Sequence, residues 1–345
     1  MLKIKEATIE VTESLDYRKL LEAHSYDRAK FKFEVQEPWY RSYLDFINII
    51  AYDGTNMIGH ACAYKCTAVI HGVKCPWYWG VDTFILRNYR GRGGAKLLQE
   101  YLHKRVPNFS SAGYVPINGI IKKKCGGKPL FNSTFAYLPV SNLFGFIFRY
   151  TYKKLFRKHL DAINIKRLPI YYWLNFSKLP SGVVFQEVDY ESNQDEILEF
   201  INQTLSNQYD FYIHRDKEYM KWKYINNPNI KSHCIVYRNR GLEIESVVFF
   251  SDIYESKLSG VKIKYSKVLD VFISNTSLIK YKAIISSITN YFLKKRLRLD
   301  GLSIVSDVQY FMGVSFSREM LSTYSGPQIC NPYISYMDQD LEQMI

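Results

Sequence analysis

RNYRGRGGAKLLQEYL, residues 87–102, is the most informative stretch of this chain. Two arginines and three glycines stand together in residues 90–94, and a leucine-rich helical pattern begins directly behind them. The segment WYWGVDTFIL before them, residues 77–86, reads as a β-strand. Glycines between a strand and a helix allow backbone N–H groups to turn toward one point, in front of the helix N-terminus. The stretch therefore predicts an anion site that suits a pyrophosphate.

Two familiar phosphate-binding loops do not fit this stretch. A Walker A loop needs GxxxxGK followed by Ser or Thr, and the sequence has none here. A Rossmann loop has the spacing GxGxxG and follows the first strand of its domain. Here the loop follows about the fourth predicted strand, and Gly91, Gly93 and Gly94 have a different spacing. Arg90 and Arg92 add positive charge and can form paired hydrogen bonds with phosphate oxygens.

Residues 90–95, Arg-Gly-Arg-Gly-Gly-Ala, resemble the Q/R-x-x-G-x-G/A pyrophosphate loop of the GNAT superfamily of acyl-CoA-dependent N-acyltransferases. The predicted elements also follow the order strand, helix, hairpin, strand, loop, helix, which that superfamily requires. The resemblance implies that the donor is acyl-CoA, with an acetyl or a short hydroxylated acyl group. The residues implied to bind it are Phe84, Ile85 and Leu86 along the pantetheine arm, and Arg90, Gly91, Arg92, Gly93, Gly94, Ala95 and Lys96 around the pyrophosphate.

The same resemblance implies direct transfer, in which a neutral amine attacks the thioester carbonyl where the fourth and fifth strands separate. A backbone N–H that polarises this carbonyl is typically worth ~10²–10³ in rate. Asp82 is the candidate general base, although Asp270 occupies the same place in the second half, which favours a structural carboxylate. Tyr137 is the candidate acid for the leaving thiolate. No nucleophilic triad and no metal site can be recognised, which agrees with direct transfer.

A second set of similar elements begins near residue 181 and predicts an internal duplication. KVLDVFIS, residues 267–274, shares the element D-x-F-I with the strand before the glycine loop, and the join would lie near residues 177–182. We therefore predict an α/β fold of the α+β kind, with two tandem GNAT-like domains, 1–180 and 181–345, each a mixed sheet flanked by helices. The second copy lacks the loop glycines and arginines, so we expect it to bind the acceptor or to support the fold.

The start of the second half contains FYIHRDKEYMKWKYINNP, residues 211–228. It resembles an R-D-x-x-Y-x-x-W-x-Y-x-x-x-P element of tandem-GNAT acyltransferases from bacterial surface-polysaccharide clusters, some of which acylate nucleotide-linked amino sugars. The resemblance implies a dTDP- or UDP-linked deoxyamino sugar as acceptor, for O-antigen or capsule biosynthesis. It also implies that Arg215, Tyr219 and Trp222 bind this acceptor. The same aromatic residues could instead form the packed face of a helix.

Composition indicates the number of domains, the charge of the partner and the cellular location. The chain has 345 residues, 47% of them hydrophobic, and a net charge of +13, which suits two packed domains and an anionic partner. Basic clusters such as Lys122, Lys123 and Lys124 could bind a second pyrophosphate or could simply be solvated. Six cysteines without a CxxC pair indicate reduced thiols. With no signal-peptide pattern and no membrane-length apolar stretch, we expect a soluble cytoplasmic protein.

Two other functions stay open at this point. The chain could acylate another amine, such as a peptide or a polyamine, or could be a Fem-type enzyme that takes aminoacyl groups from tRNA, although such an enzyme requires no CoA loop. It could also be a non-catalytic protein that binds phosphate or nucleic acid through its basic surface. No nucleic-acid motif can be recognised in the sequence, which argues against that interpretation. The oligomeric state and the identity of the sugar are not indicated.

Overall fold

The structure is a computed structural model, and it shows two mixed β-sheets that are flanked by helices. The α/β class predicted from the sequence is therefore confirmed. The structure describes residues 2–24, 45–106, 108–112, 116–129, 133–139, 179–258, 261–279, 281–295, 297, 299, 301–306, 316–320 and 322–333.

The first sheet contains eight strands within these ranges. They are β1 (Leu2–Glu6), β2 (Phe46–Asp53), β3 (Asn56–Ile70), β4 (Val73–Ile85), β5 (Phe109–Ala112), β6 (Lys128–Pro129), β9 (Phe211–Ile213) and β16 (Ser322–Ser325). Their order is β1-β2-β3-β4-β5-β16-β6, and β9 pairs with β3 beyond the end of β2. β5 runs parallel to β4, whereas the other paired strands of this sheet are antiparallel.

The second sheet has the same pattern of strand directions. Its strands are β7 (Ser133–Pro139), β8 (Val184–Val188), β10 (Ser232–Arg238), β11 (Ile244–Ser251), β12 (Tyr254–Leu258), β13 (Val261–Ile273), β14 (Gly301–Ser306) and β15 (Phe316–Met320). Their order is β15-β7-β14-β13-β11-β10-β8, and β12 pairs with β13. β14 runs parallel to β13 and the other pairs are antiparallel, so each sheet has one parallel pair among antiparallel neighbours.

The two sheets exchange strands between the halves of the chain. β7 comes from the first half but pairs with β14, placing Pro139 opposite Gly301. β16 comes from the second half but pairs with β5, placing Ser322 opposite Ala112. A cut near residue 180 would therefore remove β9 and β16 from the first sheet and β7 from the second. The assignment of two domains, 1–180 and 181–345, stays a prediction.

Helices cover the sheets, and their apolar faces form the core. The helices are α1 (Ile9–Thr12), α2 (Leu15–His24), α3 (Gly94–Arg105), α4 (Pro116–Lys124), α5 (Gln194–Gln208), α6 (Lys217–Met220) and α7 (Tyr281–Lys294). α3 buries Leu98 and Leu102 against the first sheet. Trp77 of β4 and Ile201 of α5 belong to one buried cluster, so the core is continuous between the two halves. Close packing in this core restrains β4 and the start of the loop that follows it.

Candidate acyl-donor site

The loop between β4 and α3 has a backbone shape that requires glycine. Gly91 has φ +81° and Gly93 has φ +85°, in the left-handed region that costs other residues roughly 1–2 kcal/mol. A Cβ atom at either glycine would meet no protein atom within 4 Å. The glycines are therefore required by the turn itself, and the space in front of them is not filled by described side chains.

The N-terminus of α3 points its free N–H groups into this space. Gly93 is the N-cap residue, and no side chain caps the helix. The first intrahelical hydrogen bond runs from Leu97 N to the Gly93 carbonyl oxygen, at 3.0 Å. The N–H groups of Gly94, Ala95 and Lys96 consequently have no acceptor within the helix. Together with the helix dipole they form a surface that favours an anion.

Two arginines border the same loop. Arg90 donates a hydrogen bond from Nε to the Ile85 carbonyl oxygen, at 3.1 Å. The guanidinium of Arg92 lies 5.2 Å from the ring centre of Tyr89. Both side chains are exposed, so their charges lie at the surface of the loop. These contacts hold two positive charges close to the loop.

β4 and β5 separate next to this loop. They pair only at Tyr78 with Phe109 and at Trp79 with Ser110, although β4 continues to Ile85. A Cβ atom at Gly80 would lie 2.3 Å from the Phe109 ring, so the ring occupies the first position of the opening. Beyond residue 79, β4 has no β5 neighbour, and among the described residues no other strand pairs with this edge, which an extended ligand could use.

The predicted pantetheine residues lie along this open edge. Leu86 N donates to the Ile58 carbonyl oxygen at 2.8 Å, so its polar groups face β3. Polar groups of successive strand residues alternate between the two edges, and Phe84, opposite His60, therefore also faces β3. The N–H of Ile85 is directed to the open edge. The structure brings these residues and the loop residues 90–96 together, and their binding of CoA stays a prediction.

The two predicted catalytic residues lie in different sheets. Asp82 stands with Thr83 in a bulge of β4, where these two residues face the single residue Ala61 of β3. This bulge lies directly beside the opening between β4 and β5. Tyr137 lies in β7, opposite Ser303 and Phe316 of the second sheet. Both roles stay predictions, and only Asp82 is on a strand that borders the opening.

In the second sheet, β13 likewise continues to Ile273, beyond its last pair with β14. β13 and β14 pair over four positions, from Tyr265 with Gly301 to Val268 with Ile304. Beyond them, Asp270 is 1% exposed and lies 3.7 Å from Nη2 of the buried Arg215. Tyr224 and Tyr333 both donate hydrogen bonds from their hydroxyls to this carboxylate. Burial, followed by the charge of Asp270, raises the pKa of Tyr333, so its hydroxyl keeps the proton that it donates.

The three predicted acceptor residues belong to the core around this network. Arg215 is 0% exposed, and Tyr219 and Trp222 are each 3% exposed. The Arg215 guanidinium lies 5.0 Å from the ring centre of Tyr219, and its Nη1 donates to the Ile213 carbonyl oxygen at 3.0 Å. The aromatic residues of the motif thus pack inward, as the alternative interpretation of the sequence expected. Their binding of an acceptor stays a prediction.

A cavity of about 420 Å³ lies at the edge of β3, in the gap between β2 and β9. In it, Lys74 Nζ lies 2.9 Å from His214 Nε2, and Lys65 Nζ lies 3.0 Å from Asp45 Oδ2. Burial and then Lys74 lower the pKa of His214, so the neutral ring accepts a hydrogen bond from the Lys74 ammonium. The lining residues are Asp45, Lys65, Cys66, Thr67, Lys74, Cys75, Pro76, His214, Asp216 and Tyr219.

Lys122 is a residue whose burial the sequence analysis missed. It is 3% exposed, and its Nζ donates to Ser111 Oγ at 2.6 Å. The period of α4 indicates this burial, because Lys122 lies one turn after the buried Gly119 and therefore on the same face of the helix. Ile120, on a different face, is 53% exposed. A lysine in the buried phase of a helix is unusual, because its charge is costly to desolvate.

Two features are absent from the part of the chain that the structure describes. There is no group of three His, Cys, Asp or Glu side chains that could hold a metal ion. Within the same ranges, no helix combines the length and the apolar character that a membrane span needs.

The described residues thus combine a mixed sheet that opens between two parallel strands with a glycine loop and a helix N-terminus. No protein-family model and no curated protein matches this chain. Solved structures do. One is a conserved protein of unknown function from Enterococcus faecalis V583, described as a probable N-acyltransferase, with a TM-score of 0.57 and 11% identity over 93% of this chain and 72% of the other.

Two further solved structures have the same fold. The GCN5-related N-acetyltransferase from Anabaena variabilis ATCC 29413 has a TM-score of 0.55 and 13% identity, over 93% of this chain and 72% of the other. Saccharomyces cerevisiae N-myristoyltransferase with bound myristoyl-CoA has a TM-score of 0.51 and 12% identity, over 94% and 83%. At such low identities the likeness establishes the fold, which agrees with the superfamily resemblance of residues 90–95.

Proposed function

We propose that this protein is an N-acyltransferase that moves an acyl group from acyl-CoA to an amine. The observation that carries the proposal is a single structural unit: the open edge of β4, the loop with Gly91 and Gly93, and the uncapped N-terminus of α3. A pyrophosphate and a peptide-like pantetheine arm are the two parts of CoA that such a unit can bind. Proteins of this fold include an N-acetyltransferase and an N-myristoyltransferase with bound myristoyl-CoA, which supports the proposal.

In the proposed reaction, the pyrophosphate binds the N–H groups of residues 94–96 between Arg90 and Arg92. The pantetheine arm extends along β4, where the N–H of Ile85 is available to it. The thioester then lies in the opening between β4 and β5, and the acceptor amine attacks its carbonyl carbon directly. Asp82, in the bulge that borders the opening, removes the proton that the amine loses.

The test of this function is release of the free CoA thiol. Several acyl-CoAs are incubated with amine acceptors, including amino-sugar nucleotides, peptides and polyamines, and the thiol is measured over time. We expect thiol release that depends on both substrates, together with an acylated amine found by mass spectrometry. CoA that binds while no amine is acylated would contradict the transferase proposal.

We further propose that the acceptor is a dTDP- or UDP-linked deoxyamino sugar and that its pyrophosphate binds in the cavity beside β3. Lys74 is the basis for this, because it contacts only the neutral His214 there and forms no ion pair with a carboxylate of the described residues. Lys65 adds a second ammonium to the cavity, and Tyr219 of the predicted acceptor motif lines it. The net charge of +13 favours an anionic substrate of this kind.

The first prediction concerns Asp82. Asp82→Asn removes the base without changing the size of the side chain, so we expect kcat to fall by about 10²-fold, while acyl-CoA affinity stays the same. Steady-state kinetics and calorimetry measure the two quantities separately. Asp16→Asn is the control, because Asp16 lies on α2 with a 77% exposed side chain. A kcat as high as that of the control would make Asp82 a structural residue.

The second prediction concerns Lys74. Lys74→Met keeps the length of the side chain but removes a charged contact with the acceptor, so we expect the acceptor KM to rise about tenfold. The KM for acyl-CoA should not change. Lys104→Met, at an exposed position of α3, is the control for lost charge. If both variants raise the acceptor KM equally, general charge attracts the acceptor and the cavity does not bind it.

A further inference from the structure

Ser111 and Lys122 form a buried pair at the place where β4 and β5 separate. Ser111 follows the last β5 residue that pairs with β4, which is Ser110. Its hydroxyl accepts a hydrogen bond of 2.6 Å from Lys122 Nζ, and the two residues are each 3% exposed. The pair therefore lies beside the point where β4 and β5 separate, and it is almost entirely buried.

Ser111 and Lys122 lie on the same face of the first sheet as α3 and the glycine loop. Side chains alternate along a strand, and Ser110 accepts a hydrogen bond from Trp77 Nε1 on the opposite face. Ser111 shares its face with Phe109, whose ring packs with Leu98 and Leu102 of α3. In the proposed reaction, a donor that extends from the N-terminus of α3 into the opening would pass along this face, with its sulfur toward Ser111.

The surroundings of Lys122 lower the pKa of its ammonium group, so that it can give up its proton near neutral pH. Burial lowers the pKa of Lys122 to about 7, with the Cys125 thiol acting weakly in the opposite direction. Burial, and next Lys122 itself, lowers the pKa of His103 to about 4, so the facing side chain of α3 is neutral. The Phe109 ring centre lies 5.4 Å from Lys122 Nζ. Near neutral pH this lysine can both donate and accept a proton, which is typical of a functional position.

We propose that Ser111, supplied by Lys122, protonates the thiolate of CoA as it leaves. The assignment rests on the proposed transferase function. When the C–S bond of the tetrahedral intermediate breaks, its electron pair goes to sulfur, and the Ser111 hydroxyl proton goes to that sulfur. A proton from the Lys122 ammonium replaces it on the Ser111 oxygen, and the lysine is left neutral until it takes a proton from solvent. The proton lost by the acceptor amine leaves separately, to Asp82. Ser111 is thus the catalytic residue of the pair, and Lys122 is a positioning residue that replenishes it.

The test measures the thiol of bound CoA and requires no acceptor. CoA is titrated with pH in complex with the unaltered chain, Ser111→Ala, Ser111→Thr and Lys122→Met, and the thiolate is followed by its ultraviolet absorbance. A hydrogen bond to the thiolate stabilises the charged form. We expect the pKa of the bound thiol to be roughly one unit lower in the unaltered chain than in Ser111→Ala or Lys122→Met. Ser111→Thr, which keeps a hydroxyl, should restore most of this shift.

Lys123→Met is the matched control, since Lys123 is the exposed neighbour of Lys122 on α4. It should leave the pKa of the bound thiol unchanged. CoA that binds to all variants with the same thiol pKa would overturn the inference but not the transferase proposal. Failure of the unaltered chain to bind CoA would instead overturn the transferase proposal itself, and the inference with it.

A second measurement separates proton donation from nucleophilic attack by Ser111. A serine beside a neutral lysine can also form an acyl-enzyme. The chain is incubated with acyl-CoA without acceptor and its mass is measured. An unmodified mass, with a kcat that falls about tenfold in Ser111→Ala at unchanged KM, supports proton donation. An acyl group on Ser111 would overturn it.

Discussion

Replacing Gly93 by Val should abolish useful CoA binding. The residue at this position has φ +85°, which a β-branched side chain adopts only with strain. The new side chain would also enter the space in front of residues 94–96, where the phosphate has to approach the backbone. Charge-assisted hydrogen bonds contribute about 1.5–3 kcal/mol each, so losing two of them costs about 4 kcal/mol, or ~10³-fold in affinity. Isothermal calorimetry with CoA measures this change directly.

Gly72→Val is the matched control for this experiment. Gly72 lies in the turn between β3 and β4 with φ +80°, and a Cβ there also meets nothing within 4 Å. The two variants should therefore share a backbone strain of roughly 1–2 kcal/mol, which thermal unfolding can compare. Only the Gly93 variant should lose CoA. Unchanged affinity in Gly93→Val would mean that CoA binds elsewhere on this protein.

The loop and α3 could be predicted from the sequence because their signals are local. A left-handed turn needs glycine at the turning residue, and Gly91 and Gly93 both have that conformation. A helix shows its buried face in its own period, and Leu98 and Leu102 are both buried. Leu97, next to the buried face, is 37% exposed.

The exchange of strands could not be predicted in this way. A strand pattern shows that a segment is extended, but it does not identify the partner across the sheet, which is set by packing between distant parts of the chain. Along the chain, Tyr137 of β7 follows β5 and β6, which belong to the first sheet. β7 instead pairs with β14, and β16 occupies the position beside β5. The residues that border the opening consequently include Ser111, which no local motif had identified.

Burial of Arg215 was the other feature that the sequence could not show. The motif around Arg215 contains residue types that often bind ligands, and its aromatic residues also suit a core. Whether Arg215 binds a ligand or belongs to the core depends on Asp270 of β13, which lies far from it along the chain. The ion pair between Arg215 and Asp270 gives the D-x-F-I element of the second half a structural role. Asp270 there is held by Arg215, Tyr224 and Tyr333.

Arg215→Met should therefore destabilise the fold strongly. Methionine fills similar space but leaves the Asp270 carboxylate buried without its cation. Removing one partner of a buried ion pair costs about 3–5 kcal/mol. We expect the midpoint of urea unfolding to fall accordingly. The loss should shrink as the pH is lowered, because an uncompensated buried carboxylate escapes its penalty by taking up a proton, which favours the folded state of the variant at acidic pH.

Two further variants separate the ion pair from general effects of losing an arginine. Arg105→Met breaks an exposed pair with Glu6, whose contribution should be below about 1 kcal/mol. Arg215→Met combined with Asp270→Asn removes both buried charges, so the double variant should be more stable than Arg215→Met alone. If Arg215→Met unfolds at the same urea concentration as the unaltered chain but raises the acceptor KM, Arg215 binds the acceptor. Its ion pair with Asp270 then does not stabilise the fold. A loss of stability with unchanged KM assigns Arg215 to the fold, and the acceptor contacts then have to come from the cavity around Lys74.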